Sequence, residues 1–130
     1  MRDEGGNMEE QLPLDLKVRT KQFALRIIRL YTSLPKTTEA QVIGKQVLRS
    51  GTSVGAQYRE AQRAKSDADF INKVEGSLQE LDETGYWLEL LKDSGIFSAE
   101  KLSPLLKETD ELIAIFVTIV KKVKSKQTSR

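Results

Sequence analysis

Apolar residues recur at steps of three and four along most of the chain, which is the spacing that places side chains on one face of an α-helix. The first stripe runs from Leu16 to Leu34 and stops at Pro35, since proline disfavours helical backbone in the residue before it. The pattern predicts a first helix from Asp15 to Leu34. Residues 1–14 lack this periodicity and are predicted to form a disordered or loosely docked leader.

A second periodic segment begins near Thr38 and reaches Ala61, but its middle is built from small residues. Gly51 and Gly55 each cost roughly 1 kcal/mol relative to alanine in a helix interior. Either the helix breaks within residues 50–56, or the small side chains let a neighbouring helix approach closely. The heptad phase continues through the segment without a slip, which favours a continuous helix.

The third periodic segment has a signal at each end. Ser66 followed by Asp69 is typical of a helix N-cap with an acid at the third helical position. Gly95, after Ser94, is typical of a residue just past a helix C-terminus. We therefore expect a third helix between these two signals.

The last helix can begin at Ser98 or at Ser103-Pro104, because proline suits the first turn of a helix. Its apolar stripe ends in a run of lysines. Short connections make consecutive helices antiparallel neighbours. The sequence predicts an all-α fold, an up-and-down antiparallel four-helix bundle over residues 15–124 followed by a basic tail at residues 125–130.

The composition excludes most familiar active sites. The 130 residues include no cysteine and no histidine, which removes thiol nucleophiles, imidazole bases and zinc sites built on these residues. Glu60, Glu80 and Glu83 leave room for an all-carboxylate magnesium site, but bundle di-metal sites use a Glu-x-x-His motif, and acids on a helix are usually solvated. We expect no enzyme activity and no cofactor.

The chain has no apolar stretch of about 18 residues and no signal-peptide pattern at its N-terminus. These observations predict no membrane association and a cytoplasmic location.

Charge is strongly segregated along the chain. Residues 16–65 hold eleven Lys and Arg against two acids, whereas residues 66–111 hold twelve acids against four Lys and Arg. Such asymmetry is typical of proteins with an acidic partner such as RNA or DNA, but basic helices that neighbour acidic ones in a bundle or oligomer explain it equally well. The candidate nucleic-acid-binding residues are Lys17, Arg19, Lys21, Arg26, Arg29, Lys121, Lys122, Lys124 and Lys126.

A polar ridge accompanies the apolar stripe of the second helix. Arg49, Ser53, Gln57 and Glu60 follow one another at steps of four, four and three, so they share one face. Together with Glu80 and Glu83 on the third helix, they form either a hydrogen-bonded network at a bundle or subunit interface or a solvated surface.

The segments 47–61 (VLRSGTSVGAQYREA), 66–73 (SDADFINK) and 78–84 (LQELDET) resemble a bacterial four-helix-bundle family. This family is named for proteins encoded within intervening sequences of large-subunit ribosomal RNA genes, and the likeness covers roughly residues 16–124. Gln57 stands where the family commonly has asparagine, and Gly55 where it has proline or alanine.

The resemblance implies a bundle whose second helix is continuous and whose protomers pack into a ring, typically a pentamer. Relatives of the family include the accessory variability proteins of diversity-generating retroelements, which are basic rings that bind nucleic acid and a reverse transcriptase. Two functions follow as expectations: a homo-oligomeric scaffold that contacts nucleic acid, or an adaptor that binds proteins and has no nucleic-acid role.

Overall fold

A computed structural model describes the backbone of residues 8–128 and the side chains of residues 15–127. The described chain is all-α and contains no β-strand, as predicted. The four helices are α1 (Met8–Ser33), α2 (Thr38–Ala61), α3 (Asp67–Asp93) and α4 (Ala99–Thr128).

The helices form an up-and-down four-helix bundle. Each helix packs against the next one in the chain, α1 makes a smaller contact with α4, and no described Cα atom of α1 lies within 8 Å of one in α3. Gly51 of α2 faces Ile27 of α1, while Gly55, one turn later, faces Thr20. The partner number on α1 falls as α2 advances, so the two helices are antiparallel. The start of α1, the end of α2, the start of α3 and the end of α4 consequently share one end of the bundle.

All four helices contribute to a single apolar core. Phe23, Leu81 and Phe116 are among its largest side chains, each 1% exposed or less. The Tyr58 ring lies with its centroid 5.5 Å from that of Phe116. Burial raises the pKa of Tyr58 to about 12, because the charged phenolate is disfavoured away from water.

Helix α2 is continuous through its small residues, which confirms the prediction. A Cβ atom placed on Gly51 would lie 2.8 Å from Ile27 Cγ1, and one on Gly55 would lie 3.0 Å from Thr20 Oγ1. Real Cβ atoms are rarely this close to another side chain. The glycines therefore permit close packing of α1 on α2, which offsets their low helix propensity.

The predicted signals at the ends of α3 are confirmed. The Ser66 hydroxyl accepts a hydrogen bond from the Asp69 backbone N–H at 3.1 Å. Gly95 has a φ of +74°, in the left-handed region that favours glycine. Of the two possible starts of α4, the structure has the earlier one, since Leu102 N–H donates to the Ser98 carbonyl at 3.0 Å.

The ends of the chain differ from the sequence-based boundaries. Helix α1 begins at Met8 rather than Asp15, and α4 continues to Thr128 through most of the predicted tail. In the sequence, Glu9 and Glu10 are of the residue type that favours the first turn of a helix, a signal that apolar periodicity does not register. The rest of the predicted leader, residues 1–7, and the final two residues of the tail lie outside the described residues.

Candidate functional site

Four of the six residues predicted as a polar network contact one another across α2 and α3. Arg49 donates from Nη1 to Glu80 Oε1 at 3.2 Å and from Nη2 to Glu83 Oε1. Gln57 donates from Nε2 to the other Glu80 oxygen, Oε2, at 3.4 Å. We call Arg49, Gln57, Glu80 and Glu83 the α2–α3 network. The network connects the two helices through hydrogen bonds and ion pairs on their outer surface. Glu80 is its least exposed charged member, with 15% of its side chain exposed.

A glycine that the sequence analysis missed makes room for this network. A Cβ atom on Gly76 would lie only 1.8 Å from Gln57 Oε1. The bare α3 backbone at Gly76 therefore provides the space in which the Gln57 amide lies on its way to Glu80. No spacing rule indicates this role, because it depends on which residue of α2 faces position 76.

The remaining two predicted members, Ser53 and Glu60, bind elsewhere. The Ser53 hydroxyl donates to the Arg49 carbonyl of its own helix at 2.7 Å. Glu60 accepts a hydrogen bond from Lys73 Nζ at 3.0 Å. That hydrogen bond raises the pKa of Lys73.

Beneath the network, buried hydroxyl groups join α2 to α3. The Ser77 hydroxyl donates to the Val54 carbonyl at 3.0 Å, and the oxygens of Thr84 and Ser50 lie 2.8 Å apart in a hydrogen bond. All three hydroxyl-bearing residues are fully buried. A sliding of one helix along the other would leave these groups unpaired in the core, so they help to fix the register of α2 and α3.

The three glutamates considered for magnesium all have cationic partners. Glu80 and Glu83 both bind Arg49, and Glu60 binds Lys73. Among the residues that the structure describes, no group of three or more Asp, Glu, His or Cys is placed to hold a metal ion. These carboxylates therefore serve as ion-pair partners within the bundle.

The basic residues of α1 are not equivalent. Arg19 is bound to α4: its Nε and Nη2 donate to the two Glu108 oxygens at 3.0 and 2.7 Å, and Nη2 also reaches Glu111 Oε1 at 3.0 Å. The hydrogen bond to Glu108 is the largest cause of the raised pKa of Arg19. Arg26 and Arg29 lie towards the end of α1 and line a shallow groove against the start of α4.

Two further α1 residues, Lys17 and Lys21, are exposed on its outer surface. The candidate basic residues therefore do not form one patch, because α1 carries some of them towards the opposite end of the bundle from the lysines of α4.

Basic side chains concentrate where α2 ends and α4 ends. Lys122 and Lys126 of α4 line a groove together with Lys65 from the α2–α3 connection. Arg63, two residues before Lys65, and Lys121, beside Lys122, are both exposed. We call these five residues the basic end. The sequence analysis missed Arg63 and Lys65, since only the fold brings this connection beside the end of α4.

Lys124, the remaining candidate on α4, lies next to the basic end but faces α3. Its Nζ contacts Glu75 Oε2 at 3.3 Å. Lys124 therefore forms an ion pair that connects α4 to α3 on the outer surface of the bundle.

The sequence that forms this bundle and its α2–α3 network matches a known protein family. Residues 13–118 match the family model of the 23S rRNA-intervening sequence protein. The chain belongs to the 23S rRNA-intervening sequence protein family. The matched residues include the α2–α3 network, Arg63 and Lys65, whereas the lysines at the end of α4 lie beyond them.

A similar protein of known structure has the same fold. It is a protein of unknown function from the S23 ribosomal protein family of Bacteroides thetaiotaomicron, and it is 40% identical to this intervening-sequence protein. The similarity covers 84% of this chain and 97% of the other, with a TM-score of 0.79. None of the curated proteins matches the chain. Within the described residues, none of the four helices is both long enough and apolar enough to span a bilayer.

Proposed function

We propose that this intervening-sequence protein is a non-enzymatic, homo-oligomeric scaffold that binds nucleic acid without sequence preference. The observation that carries the proposal is the basic end, where Lys65 shares a groove with Lys122 and Lys126, and where Arg63 and Lys121 are exposed nearby in the chain. Clustered cations bind nucleic acid through its phosphates, and the strength of that binding depends on charge rather than on base sequence.

Self-association increases the affinity of the proposed scaffold for nucleic acid. One basic end contacts only a few phosphates, but a ring repeats it in every protomer, and linked contacts raise the overall affinity by increasing the effective concentration. We propose a pentameric ring that acts as an accessory protein, of the kind that serves a retroelement and its reverse transcriptase. This ring size and role rest on the resemblance described above.

The proposed function includes no covalent chemistry. The chain has no cysteine or histidine, and the three carboxylates best placed for chemistry are in ion pairs with arginine or lysine. These ion pairs occupy the three carboxylates within the bundle.

A protein-binding adaptor without a nucleic-acid role is the second candidate. It is favoured by exposed apolar side chains along α1, where Val18 is 57% and Ile28 is 41% exposed. Exposed apolar residues that lie on one face of a helix are typical of protein contact surfaces.

The two functions are distinguished by an RNA titration followed by fluorescence anisotropy over a salt series. We expect unrelated RNA sequences to bind with similar affinity. If an assembly contacts about 6 to 10 phosphates, the affinity falls by about 10³ to 10⁵ between about 50 and 200 mM salt.

The double variant Lys65→Glu with Lys121→Glu is expected to weaken RNA binding at least about tenfold and to lower the slope of log affinity against log salt. Both side chains are exposed, so circular dichroism should show an unchanged melting temperature. Lys107→Glu, which changes an exposed lysine in the first third of α4, away from the basic end, is the matched control and should bind like the wild type. Equal binding by the wild type and the double variant would favour the adaptor.

A further inference from the structure

Positive and negative charge lie on opposite sides of the bundle. Within its described side chains, α1 carries five Lys and Arg against one Asp, whereas α3 carries eight Asp and Glu against two Lys. The backbones of α1 and α3 lie diagonally across the bundle, with no described Cα atoms of the two helices within 8 Å of each other. The outer face of α1 and the outer face of α3 therefore point away from each other and have opposite charge.

The outer face of α1 combines apolar and basic residues. Val18, Lys21, Leu25 and Ile28 follow at steps of three, four and three, so they form one stripe along the helix. Val18 is 57% exposed and Ile28 is 41% exposed. Among the described residues, neither Lys21 nor the neighbouring Lys17 has an ion-pair partner. This face offers apolar surface and two uncompensated positive charges.

The outer face of α3 has the complementary character. Gln79, Asp82, Tyr86 and Asp93 follow at steps of three, four and seven, and Tyr86 is 55% exposed. Within the described part of the chain, Asp82 and the nearby Glu89 have no cationic partner. An exposed aromatic ring among acids is suited to a partner surface that is both apolar and basic.

We propose that the outer face of α1 in one copy of this chain docks against the outer face of α3 in the next copy. This inference rests on the self-association in the proposed function and names the surfaces that perform it. Apolar contacts of Val18, Ile28 and Tyr86 supply the attraction, whereas the charges set which faces meet. Pairing α1 with α1 would oppose like charges, and so would pairing α3 with α3.

Such a contact is head to tail, because it uses two different patches. Each added copy leaves one α1 face and one α3 face unused, and the assembly closes into a ring when the rotations from copy to copy add up to a full turn, whereas it otherwise grows as an open filament. In an up-and-down bundle α1 and α3 run in the same direction. A ring whose axis follows the helices therefore sets them parallel and places every basic end on the same rim, which is the arrangement that binding to one nucleic-acid molecule requires.

Reciprocal charge reversal tests the contact. One variant carries Lys17→Glu and Lys21→Glu, and the other carries Asp82→Lys and Glu89→Lys. Native mass is measured by light scattering after size-exclusion chromatography at low salt, where exposed charges are least screened. We expect each variant alone to dissociate towards the 14.7 kDa monomer. A chain that combines all four substitutions should recover the wild-type mass, since each reversed α1 face then meets a reversed α3 face in the next copy.

Lys45→Glu on α2 and Asp110→Lys on α4 are the matched controls, because both positions are exposed and lie outside the two faces. They should keep the wild-type mass. If the wild type is oligomeric and both reversed variants are also oligomeric, the docking faces are wrong while self-association stands. If the reversed variants dissociate but the chain with all four substitutions does not assemble, the head-to-tail pairing is wrong. A monomeric wild type would overturn both this inference and the proposed self-association.

Discussion

Replacing Gly51 with leucine is expected to lower the free energy of unfolding by about 3 kcal/mol or more, or to prevent folding. Even a Cβ atom at this position would lie 2.8 Å from Ile27 Cγ1 and 3.0 Å from Ile27 Cγ2. Ile27 is fully buried, so it has no free space into which to move. The larger side chain would force α1 and α2 apart along the interface that their small residues create.

Urea unfolding followed by circular dichroism measures this effect. The matched control is Gly85→Ala on α3, where the nearest atom to the new Cβ would be Thr109 Cγ2 at 3.6 Å, an ordinary contact. This control should be neutral or stabilising by up to about 1 kcal/mol, because alanine is the better helix former. A Gly51→Leu variant with the wild-type unfolding midpoint would refute the close packing of α1 on α2.

Arg19→Glu is expected to lower the free energy of unfolding by roughly 2 kcal/mol, through loss of charge-assisted hydrogen bonds and new repulsion. Arg19 binds both carboxylate oxygens of Glu108, and the two side chains are only 29% and 16% exposed. The substitution would place a third carboxylate beside Glu108 and Glu111. Because α1 packs on α4 less extensively than on α2, this ion pair is an important link between the first and last helices.

The charge swap Arg19→Glu with Glu108→Arg should recover most of the lost stability, which a simple loss of packing would not do. Arg29→Glu is the comparison on the same helix. Arg29 is exposed and has no ion-pair partner among the described residues, so a change of less than about 0.5 kcal/mol is expected. Chemical denaturation of the variants measures all three effects. Wild-type stability in Arg19→Glu would show that the Glu108 contact does not hold α1 to α4.

The sequence predicted the elements of this fold well because local signals specify them. Ser66 and Gly95 act at the ends of α3 through their own backbone and side-chain geometry, and the apolar phase through Gly51 correctly indicated an unbroken α2. The beginning of α1 was placed too late because the boundary was drawn from apolar periodicity, which residues 1–14 lack.

Contacts between distant residues were harder to predict. The spacing of Arg49 and Gln57 indicated a shared face, but the geometry of their contact with Glu80 depends on the register of α2 against α3 and on the missing side chain of Gly76. Arg19 was grouped with the exposed cations because its acceptor Glu108 is 89 positions away in the chain. Only the fold decides which charged side chains form ion pairs within the bundle and which remain without a partner.

Native mass, measured by light scattering after size-exclusion chromatography with and without a structured RNA, tests the proposed function most directly. At low salt we expect an assembly of about five 14.7 kDa chains that elutes earlier and gains mass with RNA, and that releases the RNA at moderate salt without dissociating. A monomer whose elution and mass are the same with and without RNA at low salt would contradict the account.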